Sequence, residues 1–201
     1  MYVLTADQRS SRAAPDAVPT LLAAIAAMKL SHQAIIAPFE RTVGDEIQGV
    51  LSDAGALLDI VKLLARLGDW HIGIGIGNGH FPQHPPRSIE GSGPAFYAAR
   101  EAVTAAKRLT PSLCVRGEKA RIAEHLEALL RTKAHIITAR SLRQWEIIDA
   151  VVSTDTRQDA ARILGVSAAA VSQSLSASSW QLEQATDPLV LDLLDEREWE
   201  C

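Results

Sequence analysis

The sequence predicts an α+β chain: a mixed sheet covered by helices over residues 1–117, then an all-helical segment over residues 118–201. Three observations carry this. Strand-like and helix-period segments alternate as far as about residue 117. From Glu118 onward apolar residues recur at helical spacing only. Within that second part, Gly165 separates two short helical runs in a pattern that fixes how they pack.

The elements follow in order. Residues 2–6 read as a buried strand, and Pro15 to Lys29 as a helix whose apolar positions are Val18, Leu21, Leu22, Ile25 and Met28. Residues 34–43 read as a second strand, made irregular by Pro38. Gly44-Asp45 lies between that run and Ile47–Leu51, as in a tight hairpin. Asp53 caps the next helix, which presents Leu57, Ile60, Val61, Leu64 and Leu67 and stops at Gly68. Trp70–Gly77 is a strand with glycine at alternate positions, so another backbone or a ligand approaches one face closely. A Pro- and Gly-rich loop spans 78–92, a helix opens at Gly93-Pro94, and a short strand follows near Leu113–Val115. That order suits an antiparallel or mixed sheet of the ferredoxin-like kind. Beyond it, helices are expected at about 118–138, 142–153, 157–164 and 168–176.

Bulk composition narrows the class. With 201 residues, 47% apolar and 22% charged, the chain builds a core and is not wholly disordered. No apolar run reaches the roughly 18 residues that span a bilayer. The first seven residues lack the basic flank and long apolar stretch of a signal peptide. Cys114 and Cys201 form neither a disulfide framework nor a zinc motif, so a reduced, cytoplasmic protein is expected. Net charge is −4, and it is unevenly placed. Residues 183–201 hold one arginine against seven acids, while 1–117 and 118–182 each carry one net positive charge. The end of the chain thus reads as an acidic, solvated tail.

The segment TRQDAARILGVSAAAVSQSLSASSW, residues 156–180, has the marks of a helix-turn-helix over about 157–176. Ala161 is small where two helices cross, and Gly165, four residues on, turns the chain. Ala160, Leu164, Val166, Val171 and Leu175 wedge the pair together, and Ser167 caps the second helix. That second helix carries Ala169, Ala170, Ser172 and Gln173, with no Lys or Arg. Gln173 suits adenine, Ser172 a base or phosphate, and the alanines allow close approach. Affinity then requires phosphate contacts, from Arg157 and Arg162, and a homodimer. Arg131, Lys133, Arg140 and Arg143 precede the motif and read individually as a solvated face. His71, His80 and His84 have no metal-ligand spacing, and Trp145 and Trp180 read as core or dimer-interface residues.

In the first part, Asp7 ends the first strand, followed by Gln8-Arg9-Ser10-Ser11-Arg12; Asp45 sits in the hairpin TVGDEIQG, and Arg100 on the helix GPAFYAAR. Two carboxylates brought together there share Mg²⁺ and a nucleoside triphosphate, and Ser10, Ser11 and nearby backbone amides cradle phosphates. Aspartate in turns is also common for purely local reasons.

The runs TADQRSSR, FERTVGDEIQGVL, HIGIGIGNG and EGSGPAFYAAREA, with the terminal helix pair, resemble the SatD family over nearly the whole chain. The first part is more distantly similar to class III nucleotide cyclases and GGDEF domains. That resemblance implies metal-binding roles for Asp7 and Asp45, with Gly44 in the hairpin. It puts Arg100 at the catalytic arginine, Phe96 where those enzymes carry an asparagine, and Arg41 where they read the base. A phenyl ring cannot orient a ribose by hydrogen bonds, so binding transfers better than catalysis. Three functions are expected to compete. One is a DNA-binding regulator whose cyclase-like domain senses a nucleotide or dimerises. The others are a Mg²⁺-dependent cyclase or nucleotidyltransferase, and a protein-interaction module.

Overall fold

A computed structural model of the chain describes residues 1–11, 13–195 and 199. The architecture is mixed α+β, with one five-stranded sheet in the order β2-β3-β1-β4-β5. Its strands are β1 (Tyr2–Gln8), β2 (Ile35–Arg41), β3 (Glu46–Leu51), β4 (Trp70–Ile76) and β5 (Leu113–Gly117). β1 is central and antiparallel to both β3 and β4, β2 is antiparallel to β3, and β5 is parallel to β4. The β2–β3 register shifts twice around Ala37–Glu40, where Pro38 cannot donate to a ladder.

Helices α1 (Val18–Ala27), α2 (Ala54–Leu67), α4 (Ala120–Thr138) and α9 (Asp187–Leu194) share one core with one face of the sheet. Leu4, Ile47, Ile74 and Leu113 point into it. On α2, the Asp53 side chain accepts from the Ala56 amide, and Gly68 closes the helix in the left-handed region (φ 79°). The opposite face is covered by α3 (Pro94–Ala106) and the 78–92 loop. The alternate glycines of β4 explain how α3 lies so close. A Cβ on Gly73 would overlap the backbone of Val103, and one on Gly75 that of Ala95 and Ala99. The close neighbour foreseen for this strand is thus a helix backbone.

The strand material ends near residue 117, but the packing does not. Ala123, Leu126 and Leu130 of α4 are buried in the same core as Val115. Val190 and Leu194 of α9 return to it. The stretch expected as an acidic tail is therefore, up to Asp195, two packed helices, α8 (Trp180–Ala185) and α9; residues 196–198, 200 and 201 lie outside those described. Glu183 is 1% exposed. A second, smaller core joins α5 (Leu142–Val152), α6 (Arg157–Leu164) and α7 (Ala168–Ala177) through Ile147, Ile148, Ala161, Val171 and Leu175.

A buried ionic cluster fastens this helical unit to the body. Lys133 of α4, 2% exposed, gives its ammonium to the Glu183 carbonyl (2.5 Å), Thr186 Oγ1 (3.0 Å) and Asp187 Oδ1 (2.5 Å). Lys62 also meets Asp187 at 2.6 Å. Arg140 donates through Nε to the Ser178 carbonyl and lies 3.6 Å from Glu183. Arg66 grips Asp149 with two hydrogen bonds, and both Arg66 and Arg140 stack on Trp145. Lys133 and Arg140 are therefore interior clamps, which corrects the solvated-face reading of them.

Candidate functional site

Two places carry candidate residues. The first is a row across the sheet's α3 face. Antiparallel registers set Asp7 opposite Glu46 on one side and His71 on the other. Residues directly opposite point to the same face, so Glu46, Asp7 and His71 stand side by side. The expected partner Asp45 is one residue earlier, in the turn, with its carbonyl accepting from the Gln8 amide at 3.1 Å. The sheet thus pairs Asp7 with Glu46 rather than Asp45.

Each carboxylate in the row already has a cation. Lys107 Nζ is 2.9 Å from Asp7, whose side chain is 16% exposed. Arg100 Nη1 is 2.5 Å from Glu46, whose side chain is 8% exposed. Glu46 also accepts from the Thr42 hydroxyl at 2.5 Å. His71 Nδ1 shares a hydrogen bond with Ser112 Oγ, and burial pushes its pKa below the ordinary 6.5, against the pull of Asp7. No cluster of three His, Cys, Asp or Glu suited to a metal occurs among the described residues. Two carboxylates neutralised by the chain's own lysine and arginine do not fit a resident Mg²⁺, which needs a near-octahedral oxygen set.

The expected phosphate cradle is similarly occupied. The Gln8 side-chain carbonyl accepts from the Ala17 amide (2.8 Å), and Asp16 Oδ1 from the Val18 amide (3.0 Å). These are amides at the start of α1 that a phosphate would use. Ser10 sits at φ 55°, its carbonyl accepting from Ala13 and Ala14. Ser11 is half-buried, and Arg12 is outside the described residues. Arg41 bonds the Gly44 carbonyl and Asp16 Oδ2, both at 2.6 Å, and its guanidinium holds the Asp16 carboxyl below the usual range. So Arg41, Gly44 and Asp16 form one group around the hairpin turn. Phe96, 7% exposed, packs edge-on against Phe81 and fills the space beside Gly79 and Gly91. It holds the 78–92 loop down.

The second place is the α6–α7 pair. Thr156 caps α6 by accepting from the Asp159 amide. Gly165 takes φ 65°, ψ 33°, and the amides of Gly165 and Val166 return to Arg162 and Ala161. Ser167 then caps α7 by accepting from the Ala170 amide at 3.1 Å. Ala161 is 5% exposed, so α7 can sit close. Val171 and Leu175 turn inward at 0% and 1%. Ala168, Ala169, Ala170, Ser172 and Gln173 are all exposed. Arg157 is exposed beside them, and Arg162 is 77% exposed but paired with Asp159 at 2.9 Å. Arg143 pairs with Glu146 at 2.8 Å.

Glu46, Lys107 and the Lys133–Glu183 cluster escaped sequence reasoning. Glu46 had a signal, since it shares the strand parity of Gln48 and Val50 and so the face of Asp7. Lys107 had none, being 100 residues from Asp7. Val190 and Leu194, four apart behind Pro188, marked α9.

A sequence model of the SatD family matches residues 14–194. The match spans both parts, and the chain belongs to the SatD family. No curated protein and no solved structure matches it. No helix among the described residues is long and apolar enough to cross a membrane.

Proposed function

We propose that this SatD-family protein is a homodimeric, DNA-binding transcriptional regulator, with α6–α7 as its helix-turn-helix and α7 as the helix that enters the major groove. One observation carries the reading. α7 buries Val171 and Leu175 and leaves a continuous small, polar face, from Ala168 to Gln173, exposed and unpartnered among the described residues. A groove about 12 Å wide admits a helix with such a face. Ala169 and Ala170 allow close approach, Gln173 reads a base edge, and Ser167 and Arg157 reach phosphates. The sheet is read as ferredoxin-like, because its first four strands follow β2-β3-β1-β4 with α1 and α2 as crossovers and β5 added at the edge. It serves as the dimerising body.

Nucleotide sensing and Mg²⁺-dependent nucleotide chemistry draw less support. The Asp7–Lys107 and Glu46–Arg100 pairs, and the occupied amides at α1, weigh against a metal triphosphate there.

α7 brings no cation, so DNA affinity rests on few phosphate contacts. With Arg157 and Arg162 from two copies, log K should fall against log salt with a slope of about −4. The test is selection of duplexes from a random pool by the full chain, followed by anisotropy with the enriched sequence. Ala169→Asp places a carboxylate on an exposed position and should abolish retention while the circular dichroism is unchanged. Failure to enrich any sequence, at low salt as well, would overturn the reading.

A further inference from the structure

Among the described residues α3 is the one α-helix on its face of the sheet, beside the 78–92 loop, and no other helix packs on its outer side. Tyr97 there is 70% exposed, and Glu101, Thr104 and Arg108 are exposed too. Spacings of four, three and four residues put Tyr97, Glu101, Thr104 and Arg108, just past the last turn of α3, on one stripe. A groove of about 710 Å³ runs beside it, reaching Leu109 and Arg116. A large exposed aromatic flanked by arginines is the composition of an interface centre rather than of a solvated helix.

The stripe is also self-complementary. Glu101 and Arg108 lie seven residues apart along this side, Glu101 on α3 and Arg108 in the turn that follows it, with Thr104 and Ala105 midway. If a second α3 lies antiparallel, with a two-fold axis passing between Thr104 and Ala105, Glu101 of each copy faces Arg108 of the other. The charge pair forms twice. The small residues at the crossing permit the axis separation of about 8–10 Å that helix pairs adopt. Tyr97 of each copy then falls beside the Leu109 end of the other. Within its own chain Arg108 makes no ion pair among the described residues, and Glu101 has only Arg116 at 3.6 Å. A second copy would thus give a partner to Arg108 and a second, closer one to Glu101, whose contact within the chain is long.

We infer that the outer face of α3 is the homodimer interface, occupied by α3 of a second copy across an isologous two-fold. This rests on the homodimer proposed above and names its surface. It does not depend on DNA, so the two can fail separately.

Sedimentation of the full chain without DNA tests it. The wild type should sediment at twice the 21.6 kDa chain mass. Glu101→Arg and Arg108→Glu each set like charges opposite one another twice, and each should weaken the dimer at least about a hundredfold. The double variant Glu101→Arg, Arg108→Glu restores opposite charges and should be a dimer again. Both positions are exposed, so circular dichroism should match the wild type throughout. A monomeric wild type at about 100 μM, single variants that stay dimeric, or a double variant that stays monomeric would each overturn the assignment.

Discussion

The carboxylate row on the sheet and the outer face of α7 are opposite kinds of surface. Asp7, Glu46, His71, Arg100 and Lys107 all have chemistry to offer, and the fold gives each a partner within the chain, Ser112 in the case of His71. Ala169, Ala170, Ser172 and Gln173 have little chemistry, and the fold leaves them exposed. The difference teaches that residue type alone misdirects a search for function. A half-buried ion is stabilised by finding a partner within the chain, whereas small, weakly polar side chains can stay exposed without one.

The largest expected effect lies in neither place but in the clamp between them. Glu183→Ala leaves the buried Arg140 without its carboxylate and Lys133 with Asp187 alone, and should cost about 3–5 kcal/mol in urea unfolding. A loss under about 1 kcal/mol would mean that the cluster is not what fastens α5–α8 to the body. Next is Gly75→Ala. Its methyl would overlap backbone atoms of Ala95 and Ala99, which cannot give way as a side chain can, so about 1–3 kcal/mol or more should be lost.

Smaller effects sharpen the comparison itself. Asp7→Asn breaks an ion pair whose lysine is 47% exposed, so it should cost no more than about 1 kcal/mol and leave DNA affinity untouched. Ala169→Asp should do the reverse, changing stability by about 0.5 kcal/mol or less and removing DNA retention. Should Asp7→Asn abolish DNA binding while Ala169→Asp preserves it, the roles assigned to the two surfaces are exchanged.

The smallest effect is a pH dependence. Because burial depresses the His71 pKa below 6.5, the unfolded chain binds this proton more readily than the folded one. Its contribution to stability is complete above 6.5 and is lost as pH falls through the depressed range. His71→Gln should flatten that part of the stability profile, as read by urea midpoints across the series; an unchanged slope would remove the burial argument.

Much of the fold was legible because it is written in local patterns. The caps at Asp53 and Ser167 and the left-handed glycines 68 and 165 lie where spacing puts them. The alternate glycines of β4 announced a close neighbour, which is α3. What stayed hidden depends on partners distant in sequence. Glu183 and Asp187 look like solvated acids until Lys133 and Lys62 arrive from two other helices. Asp45 and Glu46 are equally plausible in sequence, and only the β1–β3 register decides which one faces Asp7.

The central claim is that α7, and not the carboxylate row, meets the other molecule. Hydrogen exchange of the full chain with and without a mixed duplex pool at low salt tests it most directly. Protection is expected in the amides of residues 167–174 and not in the loop after β1 or along α3's start. Protection at residues 8–14 with 167–174 unchanged, or none at any position, would contradict it.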